Sequence, residues 1–181
     1  MAPDLLDEAI RGCRWSAFRL EVRQQYAIGD EAEALAAFLA HGRRVPRTVR
    51  DDEYVRLVAG HVLGGRERAR VHVVARPLTG YLRYEMAEYA DLAVAGEQIF
   101  IADRGASPEL APLRDDFWLI DEGHDTECAI LLNYSQDGAF EGCSLAPTAR
   151  IAELREAKET ALLHAKALHA FTAETEVMEA V

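Results

Sequence analysis

Apolar positions along the chain recur with two periods, and the changes between them mark the elements. In the middle of the chain, Val71, Val73 and Val74 form a β-branched run that reads as a buried strand, ended by Arg76-Pro77. Thr79 is placed to cap a helix through Tyr81, Leu82, Glu85, Met86 and Tyr89, and Gly96 stops it. Gln98-Ile99-Phe100-Ile101-Ala102 then gives a second strand. The rest of the chain is arranged around this strand–helix–strand unit.

Upstream, Asp4 starts a short amphipathic helix carrying Leu5, Leu6 and Ile10. Phe18, Leu20 and Val22 alternate with Arg19, Glu21 and Arg23, as in a half-buried strand. After a break at Gly29-Asp30, Ala34, Leu35, Phe38 and Leu39 give one face of a helix ending at Gly42. Asp51 or Asp52 caps a further helix with Tyr54, Val55, Val58 and Val62, stopped by Gly64-Gly65. Downstream of the central unit come a proline-containing loop at 105–114 and a strand at 117–121. A hairpin of 128–133 and 139–145 follows, then a long helix from Pro147 with Ile151, Leu154, Ala161, Leu162, Ala165 and Leu168 near helical spacing. The pattern predicts an α+β fold: a mostly antiparallel sheet, N-terminal helices, the central unit and a long C-terminal helix. It also predicts one domain over 1–172, an internal linker at 42–50 and a frayed acidic tail at 173–181.

Composition narrows the function classes. Half of the 181 residues are apolar and 28 % are charged, a balance that builds a core and argues against global disorder. No apolar run is long enough to cross a membrane, and the N-terminus lacks the basic-then-apolar pattern of a secretory signal, so a cytoplasmic protein is expected. The net charge of −11 divides unevenly: residues 1–80 carry +2 and the remainder −13. An acidic C-terminal half repels phosphate backbones, which argues against direct nucleic-acid binding. Arg43, Arg44, Arg47 and Arg50 form a local basic run that reads as a solvated linker. Cys13, Cys128 and Cys143 make no disulfide framework, and no CxxC occurs. With the hairpin turn at Gln136-Asp137, Cys128 would oppose Leu145 and Cys143 would lie diagonal to Cys128; two reduced, buried side chains are expected.

Candidate chemistry rests on two Arg-x-Glu sequences, Arg19-Leu20-Glu21 and Arg83-Tyr84-Glu85. On a strand, Arg19 and Glu21 share a face; on a helix, Arg83 and Glu85 diverge. If both pairs lay on strands, they could sit side by side as an ion-pair network that binds an anion or positions a general acid. Asp115, Asp116, Asp121 and Glu122 flank an aromatic strand, but no second cluster at metal-binding spacing accompanies them. The histidines make no HExxH or other spaced metal pair, and GxSxG, GxGxxG and phosphate-binding loops do not occur, so no cofactor is expected.

Several segments together resemble an actinobacterial family known as a numbered domain of unknown function, DUF6879. They are Ser16-Ala-Phe-Arg-Leu-Glu21, Arg70-Val-His-Val-Val74, Pro77-Leu-Thr-Gly-Tyr-Leu-Arg-Tyr-Glu85, Val94-Ala-Gly-Glu97 and Phe117-Trp-Leu-Ile-Asp121. Members of that family are small, and many occur beside helix-turn-helix regulators, which implies a regulatory or signalling role. The strand ending in Asp121 also resembles the sensor halves related to phospholipase D. The His-x-Lys signature of that superfamily has only a letter match, at His164-Ala-Lys166 in an alanine-rich run that reads as helix. The expected function is a non-catalytic module that binds a small-molecule ligand or a regulatory protein, with Arg19, Glu21, Tyr81, Arg83, Glu85 and Asp121 as its site. The second reading is a small enzyme of specialised metabolism with a polar pocket at Tyr81, Arg83, Glu85 and Asp121.

Overall fold

In the computed structural model, which describes residues 5–27 and 32–179, the chain opens with α1 (Leu5–Gly12), β1 (Ser16–Glu21), α2 (Ala32–His41) and α3 (Glu53–Leu63). Asp4 and the Gly29-Asp30 break lie outside the described residues. The central unit follows as β2 (Glu67–Val74), α4 (Gly80–Val94) and β3 (Gln98–Asp103). Then come β4 (Asp116–Ile120), β5 (Cys128–Tyr134), β6 (Phe140–Leu145), α5 (Ile151–Leu163), β7 (Ala165–Ala167) and α6 (Leu168–Glu179). The caps sit where the side chains predict: Asp52 accepts from the Val55 amide at 2.8 Å, and Thr79 from the Leu82 amide at 3.1 Å.

The strands form one mixed sheet in the order β6-β5-β4-β1-β2-β3-β7. β1, β2 and β3 run parallel, each joined to the next through helices; the other ladders are antiparallel. The fold is therefore α+β with a mostly antiparallel sheet. One face is apolar: Phe18, Leu20, Val71, Val73, Phe117 and Leu119 pack against Leu154 and Ala161 of α5. The other face lies under α3, α4 and α6. Its apolar contacts, such as Val55, Val58, Leu82, Ile99, Ile101 and Phe171, surround a polar centre.

The structure departs from the pattern reading in four places. The long C-terminal helix is broken, because β7 pairs antiparallel with β3, Ala102 opposite Ala165 and Phe100 opposite Ala167. Without β7, β3 would be a bare edge with unpaired backbone groups, and that outweighs a helix preference of a few tenths of a kcal/mol per residue. Residues 173–179, expected as a tail, continue α6. The segment 42–50 is largely exposed but tied down at two points: Arg44 bonds Asp91 and, at 3.2 Å, Glu88, and the Arg47 amide donates to Asp91 at 2.7 Å.

The fourth departure is in the hairpin, where a bulge at Asn133/Tyr134 shifts the register and sets Cys143 opposite Leu132 and Ile130 opposite Leu145. Cys128 and Cys143 are then four ladder positions apart, too far to bridge. None of the three cysteines is in a disulfide. Thiol titration in denaturant without reductant is expected to find all three free; two missing thiols would contradict the register.

Candidate functional site

Residues two apart on a strand share a face, so Arg19 and Glu21 of β1 and Arg68, Arg70 and His72 of β2 all project beneath α3 and α4. The parallel register sets Arg19 opposite Arg70 and Glu21 opposite His72. All five are buried, at most 6 % exposed. Buried charges are costly unless paired, and here they are paired. Arg70 contacts Glu21 at 3.0 Å and Glu97 at 3.1 Å; Arg19 lies 3.5 Å from both Glu21 and Asp116.

Tyrosines complete the layer. Tyr89 of α4 donates to Glu21 at 2.8 Å, and Tyr54 of α3 accepts from Arg68 at 2.9 Å and Arg70 at 3.3 Å. Tyr26 donates to Asp116, and its ring meets Tyr134 edge-on at 4.9 Å. Tyr26 is held in place by the hairpin turn. The Ala27 amide bonds the Gly138 carbonyl at 2.9 Å, and a Cβ on Gly138 (φ +90°) would come within 2.8 Å of the Gln25 carbonyl. Nε and Nη1 of Arg68 make no hydrogen bond among the described residues. The guanidinium lies instead 5.1 Å from the Trp118 ring centroid and 5.8 Å from that of Tyr54.

The layer splits its carboxyls into two kinds. Burial alone would raise the Glu21 pKa, but Arg70 and Arg19 outweigh it and hold the group down at about 2. Glu85 of α4 goes the other way. Burial, then the Glu21 charge, raise it to about 7 against the Tyr81 hydrogen bond and the Arg70 charge. Burial likewise raises Asp116, against Arg19 and Tyr26. His72 Nε2 bonds the Arg23 carbonyl at 2.7 Å, and so carries a proton, while Nδ1 lies 2.8 Å from the Tyr89 hydroxyl. Burial pushes the His72 pKa down, and the neutral ring then competes with Glu21 for the single Tyr89 proton.

A small cavity of about 90 Å³ opens against this layer, walled by Arg70, Tyr54, Glu85, Tyr89 and Leu92. Arg47, Tyr84 and Glu88 belong both to its wall and to that of a wider groove of about 940 Å³ between α2, the segment 42–50 and α4.

Of the six residues expected to form the site, Arg19, Glu21, Tyr81 and Glu85 come together on this face. Tyr81 is buried and its ring packs 6.1 Å from that of Tyr26. Arg83, on the same helix, is exposed, so the two Arg-x-Glu sequences do not lie side by side. Asp121 sits at the other end of β1. Its carboxylate accepts from the amides of Arg14, Trp15 and Ser16 and from the Thr126 hydroxyl, at 2.7–3.2 Å, and its own φ is +53°. Burial works to raise its pKa, but those donors lower it. Asp121 ties the start of β1 to the end of β4, a structural task. His164 bonds Glu109 at 2.7 Å and Lys166 bonds Glu174 at 2.7 Å, so the His-x-Lys pair does not converge either. Among the described residues no group of three His, Cys, Asp or Glu is placed to hold a metal ion, and no helix is long and apolar enough to cross a membrane.

Pattern reading missed Arg68, Arg70, His72, Tyr26, Tyr54, Tyr89, Glu97 and Asp116. The alternation Arg68-Ala-Arg70-Val-His72-Val was visible and points three polar side chains to one face. What was missing was that β2 is a central parallel strand, covered on both faces, so those side chains have no solvent to reach.

The family model for DUF6879, a domain of unknown function, matches residues 4–173, and the chain belongs to that family. Comparison with curated proteins gives no match.

Proposed function

We propose that this chain is a non-catalytic, regulatory ligand-binding module. In this reading a small polar molecule enters the groove between α2, the segment 42–50 and α4 and places one end in the cavity beside Arg70 and Glu85. The observation that supports it is that cavity and groove adjoin, their walls sharing Arg47, Tyr84 and Glu88. Concave sites with a few converging polar groups are where small molecules bind. Glu85, held at about 7, accepts a hydrogen bond when ionised and donates one when protonated, so it tolerates either partner. A second reading, an enzyme, draws on the same residue, since a carboxyl near neutrality suits general acid–base chemistry. In both readings the pocket is formed without Arg83 or Asp121.

Ala37 lines the groove and is exposed, so Ala37→Trp fills the entrance without disturbing the core. A library of small polar metabolites is screened by thermal shift on the full chain. Wild type is expected to be stabilised by about 2 kcal/mol or more by some members at saturating concentration, and Ala37→Trp by none of these, with its unliganded melting temperature unchanged. A library that shifts neither protein, or both equally, contradicts the groove as the site. Turnover of any stabilising compound would move the conclusion to the enzyme reading.

A further inference from the structure

The carboxyl ends of the parallel strands β1 and β2 meet the starts of β4 and the hairpin loop, and three arginines gather there with no direct ion pair to a carboxylate among the described residues. Arg23, Arg104 and Arg114 line a cleft of about 520 Å³ together with Gln24, Gln25, Gln136 and Asp137. Among the described residues, every hydrogen bond they make goes to a backbone carbonyl. Arg23 reaches those of Ser135 at 2.6 Å and Gln136 at 3.2 Å; Arg104 reaches those of Leu110, Leu113 and Val22 at 2.9–3.3 Å; Arg114 reaches only that of Leu113, at 3.3 Å. Arg23 Nε is buried and makes no hydrogen bond among the described residues.

The nearby carboxylates are committed elsewhere. Asp103 pairs with Arg76 at 2.8 Å, Asp115 with Arg150 at 2.7 Å, and Asp116 lies 3.5 Å from Arg19. Asp137 accepts from the Ser135 hydroxyl at 2.6 Å and also feels the Arg23 charge, so it offsets part of the positive charge in the cleft. The cleft wall thus carries three positive charges and one negative in a chain of net charge −11. Burial and the neighbouring Arg114 both work against the charge on Arg104, the pattern of cations held together without a counter-charge. The carboxyl ends of parallel strands are also where open sheets leave a crevice for ligands. Gln24 bridges the ends of β1 and β2 on the cleft wall: its Nε2 donates to the carbonyls of Val22 and Val73, and its Oε1 accepts from the Ala75 amide.

We propose that this cleft binds the phosphate or carboxylate end of a small organic anion, gripped by Arg23, Arg104 and Arg114. Guanidinium forks match the paired oxygens of both groups, and the volume accommodates more than a bare ion. This site is separate from the cavity beneath α4 and does not depend on it.

Calorimetric titration of the full chain with pyrophosphate and with citrate, at low salt, tests the proposal, with glycerol as the neutral control. Saturable binding of at least one anion is expected, weakening with added salt. Tighter pyrophosphate assigns the natural ligand to phosphates, tighter citrate to polycarboxylates. Arg114 is exposed, so Arg114→Ala leaves the fold intact and is expected to weaken binding by about tenfold. Arg23→Gln is expected to act in the same direction, and Ala37→Trp to bind like wild type. Absence of saturable binding up to about 10 mM, or equal affinity in Arg114→Ala, overturns the proposal.

Discussion

Glu21→Gln is expected to cost the protein on the order of 3 kcal/mol, because removing one member of a buried ion pair leaves its partner buried and uncompensated. Glu21 is the acid that Arg70 approaches at 3.0 Å and Arg19 at 3.5 Å, and it also accepts from Tyr89 at 2.8 Å. The amide keeps the shape and loses the charge, so the loss reports the electrostatics of the layer rather than a cavity. In a chain of this length it corresponds to a melting temperature about 6–12 °C lower. Arg83→Ala is the control, since an exposed helix position changes stability by no more than about 0.5 kcal/mol. A Glu21→Gln loss below about 1 kcal/mol would mean that the layer is solvated and the buried network is not as described.

Glu85 is expected to make stability fall as pH rises from about 4.5 to about 7, so wild type should lose on the order of 3 kcal/mol relative to Glu85→Gln across that interval. His61 and His72, both held below the ordinary imidazole value by burial, act in the opposite sense in both proteins and drop out of the comparison. The unfolded carboxyl releases its proton near its ordinary value of 4.5, whereas the folded one keeps it to about 7. Between those values the folded state binds the extra proton, so raising the pH favours unfolding, and above 7 the loss is complete. Glu21 acts in the opposite sense and elsewhere on the scale: its contribution is present above 4.5 and is lost as pH falls toward 2. Asp116, also raised by burial, adds a slope of the same sign as Glu85, so the difference between wild type and Glu85→Gln isolates the one group. Thermal unfolding from pH 5 to pH 8 measures it. Parallel curves for the two proteins would show that Glu85 is an ordinary, solvated carboxylate.

The central strand–helix–strand unit was legible because Thr79, Gly96 and two β-branched runs are local signals. So was the α+β class. β7 was not, since nothing in Ala165-Lys166-Ala167 favours a strand; the free edge of β3, formed far away in sequence, calls it into being. The bulge at Asn133/Tyr134 was equally invisible and moved the cysteines with it. At the site, Arg19 and Glu21 were readable from strand alternation alone. Their partners were not: Arg70 and Tyr89 reach Glu21 through the parallel β1–β2 register and the packing of α4, Glu97 joins only through Arg70, and Asp116 meets Arg19 from the antiparallel neighbour β4. Asp121 was misplaced for a related reason: a carboxylate at a strand end reads the same whether it faces a ligand or, as here, three amides of its own fold.

The account turns on a half-closed polar cavity in which Glu85 changes charge near neutrality beside a permanently ionised Glu21. Carboxyl carbon NMR of the full chain titrated between pH 4 and pH 9, with Glu85→Gln to assign the resonance, reads this directly. The account predicts a midpoint near 7 for Glu85 and no titration of Glu21 anywhere in the range. A Glu85 midpoint at or below its ordinary value of 4.5 would contradict it.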